Sequence, residues 1–253
     1  MCARVRIRNF HHNTVYMTIN NEQTSKAVRA SATAVLLRDT AEQIQVLLVQ
    51  KNHNINFGGS WVFPGGMVES EDIQLDDVNN IDSASHAVCR ETYEEVSIKL
   101  DKNKLYAFSH WVTPAQIAKR YSTWFFLYNA NHTEQAINID SQEIIDAKWL
   151  TPQHALTLHA KNKLKLNGPS FVTLIGLSEF SSTNKAITYY QSRQPHKYLP
   201  RGFATKDGFL TLFQEDCAYY LKHEKALLAK GPMHRTLMSN SAPWRYICDA
   251  LKN

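Results

Sequence analysis

The sequence lacks the usual marks of a zinc protein, a disulfide-stapled secreted domain or a membrane protein. Its four cysteines are scattered, with neither a Cys-x-x-Cys spacing nor the pattern of a disulfide framework. No apolar run approaches the length of a membrane span. The C-terminal stretch 181–253 also contains no repeat and no low-complexity tract. These absences predict a globular protein of a reducing compartment, and the cytoplasm is the expected location.

The sequence also has little excess charge. A net charge of +5, spread along 253 residues without a basic block, is too weak to predict a nucleic-acid partner but suits an anionic small molecule. The first eight residues lack the apolar core of a secretory signal. Their arginines alternate with Val5 and Ile7, which favours an edge strand or tail; organelle targeting is the alternative.

Two segments contain the residues that indicate the chemistry of the protein. Trp61-Val62-Phe63 is typical of a strand that stops at Pro64-Gly65-Gly66, where missing Cβ atoms allow backbone to approach a ligand or metal. Downstream, Glu91, Glu94 and Glu95 lie at helical spacing, so Glu91 shares a face with the other two. Carboxylates that close repel one another unless a cation lies among them, and Mg²⁺ prefers such oxygen ligands. A solvated acidic helix face is the structural alternative.

Together these segments resemble the Nudix box, G-x5-E-x7-R-E-U-x-E-E-x-G-U, where U is a bulky aliphatic residue. The matching residues are Gly66, Arg90-Glu91, Glu94-Glu95 and Ile98. The sequence departs at Asp72, which replaces the first Glu, at Thr92, which takes an aliphatic position, and at Ser97, which replaces the second Gly. The spacer runs from Ile73 to Cys89, seventeen residues in place of seven.

The resemblance implies the following roles. Glu94 and Glu95 are the main ligands of Mg²⁺ or Mn²⁺, and Glu91 is a further ligand or the base that activates water. Gly65 or Gly66 adds a backbone carbonyl, with Gly66 the preferred metal residue. Arg90 is expected to orient the carboxylates rather than contact the substrate.

Further candidates lie outside the box. Many Nudix enzymes carry another catalytic Glu on a distant loop, and Glu143 is the first candidate, with Glu69 and Asp72 behind it. Trp111, Arg120, Tyr121 and Trp124 are candidates for contact with the substrate, the rings by stacking on adenine. Core packing is the alternative for the aromatic residues, and a structural role is expected for His110. The acidic spacer from Asp72 to Asp82 is interpreted as a solvated insertion.

The order of predicted elements indicates an α/β protein, a Nudix-type α/β/α sandwich with a mixed sheet and a C-terminal helical and hairpin extension. The predicted domains are a tail or edge strand at 1–27, a Nudix domain at 28–180 and an extension at 181–253 packed on the same domain. Asp82 or Ser83 is expected to cap the box helix. Further expected elements are strands at 30–38, 44–50, 61–63, 105–111, 121–128, 137–139 and 143–150, helices at 153–160, 171–177 and 216–229, and a hairpin at 201–213.

Within the family, the sequence is most similar to a branch containing peroxisomal coenzyme A diphosphatases, through Trp61–Gly66, the enlarged box, His110–Pro114 and Arg120–Phe126. The peroxisomal Ser-Lys-Leu ending is replaced by Leu251-Lys252-Asn253. The implied function is metal-dependent cleavage of a nucleoside diphosphate linked to another moiety, foremost coenzyme A or acyl-coenzyme A. The alternatives are an ADP-ribose or dinucleotide diphosphatase and an inactive ligand sensor. Neither a nucleic-acid nor a membrane partner is expected. The oligomeric state is open, and a dimer is one option.

Overall fold

The protein forms two compact units. The computed structural model describes residues 27–41, 43–55, 58–75, 77–133 and 135–249, together with two short strands between 1 and 26. One unit, called the smaller unit, comprises Met1–Val28, Val112–Tyr121 and Tyr198–Asn253; the larger unit comprises Arg29–Trp111 and Ser122–Lys197. Apart from those two strands and Ala27, the segment 1–27 lies outside the described residues, so its assignment as a tail or edge strand stays a prediction.

Strands outnumber helices, and the helices are short apart from the one that carries the box. Among the described residues no helix is both long enough and apolar enough to cross a membrane. The strands are β1 Arg4–Arg6, β2 Tyr16–Thr18, β3 Val28–Asp39, β4 Ile44–Lys51, β5 Trp61–Val62, β6 Gly65–Met67, β7 Tyr106–Val112, β8 Arg120–Asn129, β9 Ile144–Leu150, β10 His196–Tyr198, β11 Arg201–Thr205, β12 Gly208–Leu212, β13 His234–Ser239 and β14 Arg245–Cys248. The helices are α1 Ile81–Val96, α2 Pro152–Ala160, α3 Gly168–Leu177, α4 Thr183–Gln191 and α5 His223–Ala226.

A splayed hairpin in the eight-stranded sheet creates the platform for the site. The strand order is β10-β7-β8-β3-β4-β5, with β6 also on β3 and β9 also on β4. β3 and β4 pair antiparallel over a short stretch beside the turn, from Leu37 opposite Val46 to Asp39 opposite Ile44. Beyond that they separate, and the gap receives β5 on β4 and β6 on β3. The corner between β5 and β6 is held by the Ala34 amide, which donates to the Pro64 carbonyl at 2.9 Å.

Helix α1 packs on this sheet through small and branched residues. Ala84, Ala87 and Val88 recur at spacings of three and four along one helix face, and all three are buried. They join Leu36, Leu47 and Phe126 of the sheet in one apolar cluster. Small residues at the start of the stripe let the helix approach closely, which places its later carboxylates against the β5–β6 corner.

Both ends of α1 are fixed by local backbone chemistry. Asn80 is the N-cap, and its side chain accepts a hydrogen bond from the Asp82 amide. The prediction of a cap at Asp82 or Ser83 is therefore wrong, because the helix already begins at Ile81. At the other end, Ser97 adopts the left-handed conformation with φ 60° and ψ 24°. That conformation explains why the Nudix pattern has glycine at this position.

Other predictions are met in part. The hairpin of β3 and β4 is observed, as is α2 with Thr151 as N-cap and Pro152 in its first turn. The predicted strand at 137–139 is wrong: the segment has no ladder of its own, although the Asn138 amide donates to the Val96 carbonyl at 3.2 Å. The helix predicted at 216–229 is also wrong, since only α5 is helical there. At the level of fold class, the α/β prediction is confirmed.

The smaller unit contains an antiparallel sheet in the order β11-β12-β13-β14. The predicted hairpin is present, with Thr205 facing Gly208 across a turn formed by Lys206 and Asp207. Below it, Arg235 donates two hydrogen bonds of 2.6 Å to the buried carboxylate of Asp216. These two residues are almost fully inaccessible, so the pair is an internal structural link of this unit. The limits predicted for the domains remain predictions.

The left-handed conformation of Ser97 yields a test of the helix end. Ser97→Gly and Ser97→Ala both lose the hydroxyl, which donates to the Asn138 carbonyl at 3.1 Å, and they differ only in the Cβ atom. We expect the Gly variant to be more stable than the Ala variant by about 1 kcal/mol in urea denaturation. Inside a helix the order is the reverse. An Ala variant as stable as the Gly variant would contradict the assigned conformation.

Candidate active site

The β5–β6 corner brings backbone against the carboxylates of α1. A Cβ atom added to Gly66 would lie 2.2 Å from the carboxylate of Glu91, so only glycine permits this approach. Gly65 has φ +146°, and a Cβ there would lie 2.2 Å from the Ala32 carbonyl oxygen. Its amide donates to Oε2 of Glu95 at 2.9 Å. Gly65 is thus required by the backbone, and Gly66 leaves room for Glu91 in the position that it occupies.

The three box glutamates occupy different environments on α1. Glu91 and Glu95 continue the apolar stripe, because Glu91 lies three residues after Val88 and Glu95 lies four residues after Glu91. Their side chains are 15% and 3% exposed. Glu94 lies at the edge of the stripe and is 55% exposed. The sequence spacing therefore predicted the proximity of the three, but not that two of them would be inside.

Arg90 links the helix to the loop that precedes it. Its guanidinium donates to Glu94 at 2.9 Å, to Glu91 at 3.2 Å and to the Met67 carbonyl at 3.1 Å. Two further bonds, of 2.8 and 3.2 Å, reach the carboxylate of Asp72. The hydrogen bonds to Asp72 raise the pKa of Arg90 above its usual value. The predicted role of Arg90 in orienting carboxylates agrees with these contacts.

Asp72 fills the place of the missing first glutamate. It is 4% exposed, and its Oδ2 atom also accepts from the Glu69 amide at 3.0 Å, closing a capping box around the 3-10 turn Ser70–Asp72. Its burial and its bond to Arg90 make it a structural anchor; as a catalytic candidate, Asp72 has no support from this placement. Glu69 supports the same turn.

The long spacer leaves this arrangement intact because it is tied back to α1. The buried hydroxyl of Ser83 accepts from the Gln74 amide at 2.8 Å and donates to the Asp77 carbonyl at 2.8 Å. Asp77 is exposed, and Asp76 lies outside the described residues. These contacts agree with a spacer that forms a surface insertion.

Burial and crowding disfavour ionised carboxylates in the site. Burial raises the pKa of Glu91 to about 7; nearby Glu95 adds to the rise and Arg90 opposes it. The pKa of Glu95 is also raised by burial, against the opposing effect of Lys51. For Glu91, the cost in stability is absent below the ordinary pKa of 4.5 and fully present above about 7. A bound divalent cation would relieve that cost.

Lys51 belongs to this site, although the sequence interpretation missed it. Its ammonium lies 2.7 Å from Oε1 of Glu95 and 3.5 Å from Oε2 of Glu143. The available signal was a lysine at the end of a buried strand, directly before a polar loop. Through Lys51, the structure also brings the predicted Glu143 next to the box, where its side chain is 60% exposed.

The predicted substrate residues are divided between the two units, with Trp111 and Trp124 in the larger unit. Trp111 is 6% exposed, and Trp124 stacks on His110 at 4.3 Å and donates to the Asn79 carbonyl at 3.4 Å. This packing corresponds to the core alternative rather than to stacking on adenine. Arg120 and Tyr121 belong to the smaller unit. The assignment of these residues to the substrate stays a prediction that their placement does not support.

Comparison with known families decides the assignment. A model of the NUDIX domain matches residues 28–167, which is more than half of the chain. The chain belongs to the Nudix family. The matched segment includes the whole box from Gly66 to Ile98, as well as Lys51 and Glu143. The predictions of a Nudix hydrolase and of its fold are thus confirmed at the level of the family.

Individual relatives are distant. An acyl-coenzyme A diphosphatase from Xenopus laevis is 26% identical over 44% of this chain and 31% of its own length. A Caenorhabditis elegans protein that carries the name nudix hydrolase 7 is 23% identical over 66% of each chain. The chain thus spans less than two thirds of both curated relatives. The crystal structure of a Nudix hydrolase from Alicyclobacillus acidocaldarius shares 21% identity and a TM-score of 0.57, over 65% of this chain and 97% of the other.

The residues present fit the divalent metal with which Nudix hydrolases act. Glu91 and Glu94 share the guanidinium of Arg90, Glu95 accepts from the Gly65 amide, and carboxylate oxygens are the ligands that Mg²⁺ and Mn²⁺ prefer. Glu94 is 55% exposed and is held by Arg90 at 2.9 Å. Glu91 and Glu95 are held by neighbours, which pre-orients them. Glu91, Glu94 and Glu95 are therefore the residues that would hold the ion.

The Asp72–Arg90 pair provides a test of how this Nudix box is held together. Asp72→Asn leaves the shape unchanged but removes the charge opposite a partly buried guanidinium, and we expect a loss of about 2 kcal/mol of unfolding free energy. Asp77→Asn, in the exposed part of the same spacer, should change stability by less than ~0.5 kcal/mol. Urea denaturation of both variants measures the difference. Equal stability of the two would exclude Asp72 as the anchor.

Proposed function

We propose that the protein is a metal-dependent diphosphohydrolase acting on coenzyme A or an acyl-coenzyme A. The observation that carries the proposal is the cluster in which Arg90 orients Glu91 and Glu94 beside the glycines of the β5–β6 corner. Such a cluster concentrates negative charge on an otherwise apolar helix face, which is costly unless a cation completes it.

The reaction needs charge neutralised on phosphate oxygens and a water molecule delivered in line. A divalent ion held by the box glutamates supplies that neutralisation and lowers the pKa of water. The protein provides the orientation. The Gly65 amide fixes one oxygen of Glu95, and Arg90 fixes Glu91 and Glu94, so the carboxylates need little rearrangement when the substrate binds.

Two carboxylates are candidates to accept the proton of the attacking water. Glu143 is 60% exposed and lies beside Lys51 at the rim of the site. Glu91 has a pKa raised to about 7, which suits a group that exchanges protons near neutrality. A ligand role for Glu91 leaves Glu143 as the base, and this is the assignment we propose.

Two observations support coenzyme A as the substrate. The segments Trp61–Gly66 and His110–Pro114 resemble the branch of the family that contains coenzyme A diphosphatases, and the Xenopus laevis relative carries the name of an acyl-coenzyme A diphosphatase. Cleavage at the diphosphate leaves the distant thiol end of the molecule untouched. Acyl derivatives should therefore also react, provided that the acyl chain extends out of the site.

The assignment of the metal ligands predicts the effect of neutral substitutions. Glu94→Gln and Glu95→Gln should each lower the rate of hydrolysis at least ~100-fold, since several kcal/mol of charge stabilisation is lost. Glu179→Gln, an exposed glutamate of the larger unit, is the matched control and should leave the rate unchanged. Initial rates under saturating Mg²⁺ measure the effect. Near-normal turnover in both box variants would refute the assignment.

The substrate is tested by a panel of diphosphates assayed with Mg²⁺ and with Mn²⁺. Coenzyme A should yield phosphopantetheine and adenosine bisphosphate, and mass spectrometry after reaction in ¹⁸O-labelled water shows which phosphorus takes the new oxygen. ADP-ribose and dinucleotides in the same panel are the competing substrates. Their cleavage with coenzyme A untouched would refute the substrate but keep the Nudix chemistry. Binding of nucleotides without any cleavage would instead indicate a sensor.

A further inference from the structure

Lys51 stands at an irregularity that directs its side chain into the site. The pairing of β4 with β9 shifts register between Gln50 and Lys51, and such bulges commonly redirect a side chain beside an active site. The next amide, of Asn52, donates to the Glu143 carbonyl at 2.7 Å. Lys51 and the loop that carries Glu143 are therefore joined by backbone as well as by charge.

The Glu143 loop is itself anchored to the box helix. The Asp140 amide donates to the Glu95 carbonyl at 3.3 Å, and the Asp140 carboxylate accepts from the amides of Glu143 and Ile144 at 3.0 and 2.9 Å. These bonds fix the backbone of the loop. They leave the Glu143 side chain, 60% exposed, with Lys51 as its contact in the ion pair at 3.5 Å.

The ammonium of Lys51 lies between two carboxylates of unequal burial. Its side chain is 14% exposed, and its short bond of 2.7 Å is to Glu95, which is 3% exposed. Burial is the largest single effect and lowers the pKa of Lys51. The charges of Glu95, Glu143 and Glu91, with the hydrogen bond to Glu95, together outweigh burial, so the pKa lies above the usual value and the group is charged. An uncompensated carboxylate at the position of Glu95 would be costly, and Lys51 supplies the compensation.

A divalent ion at the box competes with this arrangement. Oε1 of Glu95 is bound to Lys51 and Oε2 to the Gly65 amide, so metal ligation by Glu95 must share or displace one of these bonds. The Gly65 amide belongs to rigid backbone, whereas the lysine side chain is flexible and carries the same sign of charge as the ion. Lys51 is therefore the group that yields, and Glu143 is the carboxylate within its reach.

We propose that Lys51 is a positioning residue that exchanges partners when the metal binds. Without metal, it neutralises Glu95; with metal, its ammonium moves onto Glu143 and holds that loop carboxylate at the reaction centre. The inference rests on the proposed function, because it assumes that the box binds a divalent ion. It adds a device that couples metal occupancy to the placement of the proposed base.

Metal binding in the absence of substrate gives the first test. Lys51→Met removes the competing cation, so titration calorimetry of the metal-free full chain at pH 8 should show Mn²⁺ bound about tenfold more tightly than in wild type, which is ~1.4 kcal/mol. Lys51→Arg keeps the charge and should bind as wild type does. Lys104→Met, which removes an exposed lysine of the larger unit, is the matched control and should also bind as wild type. If Lys51→Met fails to fold, Lys51→Gln carries the same expectation, since it retains a hydrogen bond to Glu95 without the charge.

Kinetics test the second half of the exchange. Lys51→Met should lower kcat at least ~10-fold with little change in KM, because the proposed base is no longer held. In a double-mutant cycle with Glu143→Gln, the two losses in kcat should be strongly non-additive. Lys51→Arg should restore most of the rate, which a loss of packing alone would not explain.

Failure of this inference differs from failure of the proposed function. Wild-type protein that neither binds Mn²⁺ nor cleaves any diphosphate defeats the proposed function, whatever Lys51 does. Wild-type binding and cleavage combined with unchanged or weaker Mn²⁺ binding in Lys51→Met overturns the exchange alone. Additive kcat losses in the cycle overturn the link to Glu143.

Discussion

The site depends on one guanidinium. Arg90 is the side chain that contacts the loop before the helix, through Met67 and Asp72, and the box carboxylates Glu91 and Glu94 on the helix itself. The β5–β6 corner and α1 are separated in the sequence by the long spacer. Five directed hydrogen bonds from a planar, permanently charged group fix their relative orientation.

Because Arg90 fixes the orientation of α1, the site can hold two buried carboxylates at a cost in stability. The apolar stripe of α1 that begins at Ala84 runs into Glu91 and Glu95, so the packing that places the helix also buries two carboxylates. The raised pKa values of Glu91 and Glu95 reflect the free-energy cost of burying their charges. Lys51 and the Gly65 amide offset part of it at Glu95, and Arg90 offsets part at Glu91. The remaining negative charge attracts a divalent ion. The same residues therefore lower the stability of the fold and provide its function.

The sequence was informative where function depends on local spacing and uninformative where it depends on register. The spacing of Glu91, Glu94 and Glu95, the hairpin of β3 and β4 and the Thr151 cap all follow from patterns within a few residues. Lys51 was missed because its role arises from a register shift between β4 and β9, strands nearly a hundred residues apart. The failed helix at 216–229 has a similar cause: Asp216 is drawn into a buried pair with Arg235 of β13, a long-range contact that overrides local helix propensity.

The unusual spacer and the unusual aspartate belong together. Aspartate is one methylene shorter than the glutamate of the family pattern, so its backbone must lie closer to Arg90 to form a bidentate contact. The 3-10 turn at Ser70–Asp72 provides that approach, and the capping box with Glu69 holds it. Seventeen residues then separate the turn from Arg90, and the buried hydroxyl of Ser83 binds the spacer at Gln74 and Asp77 to the start of α1. The insertion is thus compatible with an intact box because its two ends are anchored on the same helix.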